Sequence, residues 1–133
     1  MTFVIAQVCI WKRIECEMPF IHSESLTKME LFPGAMSGLV TGEKIMLSFL
    51  EMEQGSVVPA HSHPHEQAGL LLEGKLKFKI GAEEKLMERG DAFLVPPNVV
   101  HEGVVVEGPA KVLDIFSPPR EDYVEQYKQQ TKA

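Results

Sequence analysis

Short apolar segments of strand length, each closed by glycine, proline or acidic turn residues, constrain the fold of this chain more than any other feature. Residues 44–52, KIMLSFLEM, form such a run after the Thr41-Gly42 turn signal. Residues 75–80, after a break at Glu73-Gly74 and before Gly81-Ala82, alternate strictly, with Leu76, Phe78 and Ile80 to one side and Lys75, Lys77 and Lys79 to the other, as a half-buried strand requires. Further strands are predicted at 84–88, 92–95, 101–106 and 111–116, separated by breaks at Arg89-Gly90-Asp91, Pro96-Pro97-Asn98 and Glu107-Gly108-Pro109. Turn signals about every eight to twelve residues point to an all-β sandwich or barrel rather than βαβ units. The ends differ. Residues 120–130, REDYVEQYKQQ, follow Pro118-Pro119 and place two tyrosines at i and i+4, predicting a short C-terminal helix. Residues 1–30 are less regular and read as an N-terminal extension. Without internal repeat or linker, residues 1–133 are expected to form a single domain with its core over about 40–117.

Composition excludes several classes of partner. The 133 residues are 44% hydrophobic and 24% charged, which is globular rather than disordered. A net charge of -6 repels phosphate backbones, so no nucleic acid partner is expected. No apolar run reaches the roughly 18 residues of a membrane span, so no membrane partner is expected either. Residues 3–11, FVIAQVCIW, lack the preceding basic segment and following cleavage site of a signal peptide. Cys9 and Cys16 form no disulfide framework and no CxxC spacing. A cytoplasmic location is the expectation. The apolar FVIAQVCIW could add as a strand to a partner barrel, which would make a homodimer.

The chemistry concentrates in histidine. Four of the five histidines are His61, His63, His65 and His101, the first three within HSHPHEQ after a probable strand VVPA. In an extended segment residues i and i+2 share a face, so His61 and His63 would project together, as two imidazoles binding one metal must. Gln67 opens the next apolar run, and the turn PPNVV could return His101 to the same cavity. His65 reads as a loop residue. A lone histidine is ordinarily a surface or core residue; the spacing of several argues for ligands.

At these positions the sequence resembles the cupins. Their first motif, Gly-x5-His-x-His-x(3–4)-Glu-x6-Gly, is matched by Gly55, His61, His63, Gln67 and Gly74, with Gln for Glu. Their second, Gly-x5-Pro-x-Gly-x2-His, is matched by Gly90, Pro96, Asn98 and His101, with Asn for Gly. Both Gly and Asn tolerate left-handed backbone, so the turn is preserved. The resemblance spans about residues 45–116 and implies a double-stranded β-helix, or jelly-roll barrel, with one divalent metal inside. Three neutral imidazoles and a neutral amide would leave the site near the metal's full charge, which attracts an anion and acidifies bound water. Such ligands suit Ni, Zn, Mn or Fe.

After the second motif the chain reads VLDIFSPPREDY, bringing Asp114, Phe116 and Arg120 together. With HSHPHEQ this resembles the KdgF-type cupins of pectin and alginate breakdown. Those proteins convert 4,5-unsaturated monouronates, the products of polysaccharide lyases, into linear 5-keto-4-deoxyuronates. The resemblance implies His61, His63, Gln67 and His101 as metal ligands and a small anionic sugar as substrate. It places Asp114, Phe116 and Arg120 in the pocket: an acid–base group, an apolar wall and a carboxylate clamp. The plainer roles are an Asp114–Arg120 salt bridge and core packing for Phe116. A metal-dependent dioxygenase and a non-catalytic sugar- or metabolite-binding cupin are the alternative functions, since one barrel hosts many activities.

Overall fold

The computed structural model describes residues 8–10 and 20–130. In chain order its strands are β1 (Val8–Ile10), β2 (Met29–Phe32), β3 (Ala35–Thr41), β4 (Met46–Met52), β5 (Val57–His61), β6 (Glu66–Ile80), β7 (Glu83–Met87), β8 (Ala92–Val95) and β9 (His101–Ser117). The helix α1 (Glu121–Gln130) follows. No helix among the described residues is long and apolar enough to cross a membrane.

Two long strands, β6 and β9, hold the barrel together. They pair antiparallel from Glu66↔Ser117 through Leu71↔Val112, and again from Leu76↔Val105 to Ile80↔His101, with the register shifting between. One half of β9 also pairs with β4, the other with β5. β6 likewise carries β8 on its first half and β7 on its second. Each long strand thus passes through both halves of the jelly roll. The expected breaks at Glu73-Gly74 and Glu107-Gly108-Pro109 are therefore bends within continuous strands, not strand ends. Gly74 makes the bend possible: its φ is +85°, and a Cβ there would sit 2.7 Å from the carbonyl oxygens of Glu107 and Pro109. Only a residue without a side chain lets the two backbones come so close.

The barrel also begins earlier than residue 40. β2 and β3 pair with each other and β3 with β4, and Met29, Ala35 and Leu39 are buried. The sequence pattern concealed β3 because Ser37 and Thr41 are buried among its apolar residues; Ser37 Oγ shares a 2.6 Å hydrogen bond with Ser48 Oγ on β4. Val8–Ile10 pair in parallel with Leu39–Thr41 of the same chain. The rest of FVIAQVCIW, Cys16 and the side chain of Cys9 lie outside the described residues.

Helix α1 closes one end. Glu121 and Asp122 lie in its first turn and Lys128 in its last, complementing the helix dipole. Tyr127 packs into a cluster with Met29, Leu39, Met46 and Phe116. Gln130 accepts from the Glu30 backbone N–H at 2.9 Å and donates to its carbonyl at 2.6 Å, and Gln126 donates to the same carbonyl at 2.9 Å.

The bend supplies a stability test. Gly74 and Gly90 both have positive φ, but nothing lies within 4 Å of a Cβ at Gly90. Each alanine substitution should cost about 1–2 kcal/mol for the left-handed backbone. Gly74→Ala should cost a further 1–3 kcal/mol or so for overpacking, read by urea unfolding. Equal losses would show that the bend does not depend on this close approach.

Candidate metal centre and pocket

Three histidines meet inside the barrel. The metal-capable atoms of His61, His63 and His101 all lie within 4.8 Å of one another. His61 ends β5 and faces His101 at the start of β9, with ring centroids 4.3 Å apart. His63 lies beyond the strand, in the loop, so the expected same-face alternation is not what brings it in. A hydrogen bond does part of that work: Asn98 donates its backbone N–H to the His63 carbonyl at 2.7 Å, tying the second-motif turn to the first-motif loop. Asn98 adopts φ 67°, the left-handed conformation expected where the cupin pattern has glycine.

The hydrogen bonds fix the tautomers. Nδ1 of His61 faces the Pro59 carbonyl at 2.7 Å, Nδ1 of His63 the His65 carbonyl at 3.0 Å, and Nδ1 of His101 the Val99 carbonyl at 2.9 Å. A carbonyl only accepts, so each Nδ1 carries the proton and each Nε2 presents a lone pair. His101 Nε2 is buried and has no partner among the described residues. Gln67 donates its amide to Asp114 Oδ1 at 3.1 Å, which turns its Oε1 toward His63 Nε2, also at 3.1 Å. Two lone pairs facing each other call for a cation or a proton donor between or beside them. The donor set therefore fits a divalent metal held by three imidazole nitrogens, with the Gln67 oxygen aimed at the same place.

Electrostatics favour neutral, ligating rings. Burial pulls the His101 pKa from 6.5 down to about 4, with His61, His63 and Arg120 adding their repulsion and the Val99 hydrogen bond opposing it. His63 is lowered first by burial and then by the Arg120 charge. Asp114 moves the other way: burial raises it from 3.8 to about 7, against the opposing effects of the Gln67 amide and Arg120. It lies on β9 opposite Gly69, where a Cβ would collide with the Phe93 ring and come within 2.9 Å of Asp114 Oδ1.

A cavity of about 210 Å³ opens beside these groups. His61, Gln67, His101, Asp114, Arg120 and Tyr123 supply its polar wall, while Leu50, Leu76, Phe78 and Phe93 are among its apolar lining. Asp114 and Arg120 both face it, but no ion pair joins them. Arg120 is instead paired with Asp122 at 2.8 Å. Phe116, expected as a pocket wall, stands behind the lining: it is 1% exposed and touches His63 and Tyr123 edge-on, at 5.8 and 5.6 Å between centroids. His65, expected as a loop residue, is in the loop but buried, and its Nε2 meets Glu121 Oε1 at 2.9 Å. Sequence reasoning did not single out Asp122, Tyr123 or Phe93 as site residues. The Arg-Glu-Asp-Tyr order at the helix start was the available signal.

Comparison with known proteins agrees with this architecture. The cupin domain model matches residues 48–116. The chain is 27% identical over 97 residues to the pectin degradation protein KdgF of Dickeya dadantii, covering 71% of this chain and 88% of that protein. The structure of KdgF from a Halomonas species superposes with a TM-score of 0.69 at 28% identity, covering 72% of this chain and 89% of that one. An RmlC-like cupin from Shewanella frigidimarina superposes with a TM-score of 0.75 at 27% identity, covering 80% and 96%. With both motifs in register, three imidazoles converging inside a jelly roll and a domain match over half its length, the chain belongs to the cupin family, with KdgF proteins among its relatives.

Proposed function

We propose that this protein acts in pectin breakdown, opening the ring of 4,5-unsaturated monouronates to give linear 5-keto-4-deoxyuronate. The observation that carries the reading is the polar wall itself: a buried carboxyl with a pKa near 7 and a buried guanidinium flank a three-histidine cluster in one small cavity. The KdgF relatives support the same substrate class.

The reaction is an isomerisation. The anomeric hydroxyl loses a proton, the bond from C1 to the ring oxygen breaks, and C4 of the enol ether gains a proton as C5 becomes a ketone. A group titrating near neutrality suits both proton movements, because it is neither fully protonated nor fully ionised at working pH. Asp114 is that group, held by the Gln67 amide. Arg120 binds the substrate carboxylate through its unpaired NH1. His61, His63, Gln67 and His101 would hold a divalent metal, which when bound supplies positive charge to the substrate's oxygens. The apolar side of the cavity excludes water from the ring. Phe116 supports the rings of His63 and Tyr123 from behind. An oxygen-consuming reaction or binding without turnover would leave Asp114 without a proton to move.

The central test follows ring opening of lyase-generated unsaturated galacturonate, by loss of the alkene's ultraviolet absorbance against a no-protein control. Asp114→Asn should keep its metal and lower turnover by about 10²–10⁴-fold. Equal turnover by both proteins would remove Asp114 from the mechanism. No turnover by the wild type would favour a binding module, and oxygen uptake a dioxygenase. Arg120→Ala should cost roughly 10- to 150-fold in kcat/KM, the worth of a charge-assisted hydrogen bond.

Metal loading is read separately. His101→Ala should lower bound metal after dialysis, by elemental analysis, and full loading of the His61→Ala, His101→Ala double variant would refute the ligand assignment.

The raised Asp114 pKa also predicts a pH dependence in metal-free protein. Between about pH 4 and 7 the folded state holds a proton that the unfolded chain releases, so Asp114's contribution to stability is lost as pH rises. His101, lowered to about 4, contributes oppositely and gains stability as pH climbs toward 6.5. Asp114→Asn removes only the first effect. Its stability relative to wild type, measured by urea unfolding with chelator, should increase from pH 4 to 7 and then level off. A constant difference would mean an ordinary carboxylate.

A further inference from the structure

We propose that Asp122 and Tyr123, in the first turn of α1, are positioning residues that lock the Arg120 guanidinium with one nitrogen, NH1, kept free for the substrate carboxylate. The inference rests on the reading of Arg120 as the carboxylate anchor and adds what makes it one.

Arg120 is 6% exposed, and a long, charged side chain seldom stays buried without fixed partners. Two of its three nitrogens are accounted for. Nε donates to Asp122 Oδ1 at 3.0 Å and NH2 donates to Asp122 Oδ2 at 2.8 Å, a fork-to-fork pair. NH1 is buried and has no hydrogen-bond partner among the described residues. The guanidinium carbon lies 3.9 Å from the centroid of the Tyr123 ring and 5.1 Å from that of Phe116. Asp122 therefore sets the rotation of the guanidinium in its own plane, and Tyr123 sets the tilt of that plane. Together they leave one orientation and one free donor, in a residue that lines the cavity. A buried cationic donor without a partner is costly, and such a cost is expected where a ligand will supply the acceptor.

Local chain geometry makes the arrangement short-range. The Arg120 carbonyl accepts from the backbone N–H of Tyr123 and Val124 at 3.1 and 3.2 Å, so Arg120 starts the helix that carries both of its partners. Burial opposes the charge on Arg120, but the hydrogen bonds of Asp122 and the charges and hydrogen-bonding capacity of Asp122 and Tyr123 together more than compensate. The Asp122 side chain is itself 59% exposed, but the guanidinium it pairs with is buried, so losing Asp122 leaves Nε and NH2 unpaired and should cost stability as well as substrate binding. Positioning is therefore separated from a structural role by the split between KM and kcat and by the mobility of the guanidinium.

The experiment compares Asp122→Ala, Asp122→Asn and Tyr123→Leu with wild type on unsaturated galacturonate, and records NMR signals of the Arg120 Nη nitrogens. In the wild type, hindered rotation should keep the Nη signals distinct; in Asp122→Ala they should merge. KM should rise about 10-fold in Asp122→Ala with kcat changed by less than about threefold, and metal content should hold while the melting temperature falls. Tyr123→Phe, which keeps the ring, should recover most of what Tyr123→Leu loses. In an Arg120→Ala background Asp122→Ala should add no further rise in KM. A full further rise there, or averaged Nη signals in the wild type, would overturn the inference. Unchanged KM in Arg120→Ala would instead defeat the carboxylate reading, with the Nη signals still deciding whether Asp122 locks the side chain.

Discussion

The antiparallel pairing of β6 with β9 is the constraint on which the site depends. Gln67 lies on β6; His101, Asp114 and Phe116 lie on β9. Their register puts Gln67 opposite Phe116 and Gly69 opposite Asp114. A slip of β9 by one residue would turn its three side chains to the outer face and leave Gln67 without them. The bend at Gly74 keeps both strands continuous while they change direction, so groups set by one register converge on a single cavity. The three Nδ1 hydrogen bonds extend the same logic to the loops, because backbone carbonyls orient the rings independently of side-chain packing.

Charge in the pocket is arranged by burial more than by pairing. Burial holds His63 and His101 toward their neutral forms and raises the Asp114 pKa to about 7, while Arg120 is kept charged by an acid outside the cavity. Had Arg120 paired with Asp114, both would be spent on each other. Asp122 prevents that: it satisfies the guanidinium from the solvent side and leaves the inner carboxyl free to titrate.

Much of this was legible in the sequence, and the part that was not has physical causes. Strict alternation at 75–80 and the spacing of the histidine motifs are local signals, and both correspond to elements found. The strand bends were read as ends because Gly74 and Gly108-Pro109 are turn residues whether or not a partner strand continues alongside. β3 was missed because its buried Ser37 is satisfied by Ser48, a contact no local pattern reveals. Phe116 was placed in the pocket with Asp114 by the resemblance; two strand positions that share a face do not say which of them a neighbouring layer covers. Tyr123 belongs to the cavity only because α1 folds back over the barrel, a long-range event.

The amide of Gln130 has a consequence beyond holding the helix. Among the described residues β2 is paired on one side only, by β3, and its other side would ordinarily present a free N–H and C=O at Glu30. Gln130 takes up both, as the backbone of an added strand would. The side-chain amide thus acts as a one-residue counterfeit strand, and a stray β-segment from a second molecule finds those ladder positions already occupied.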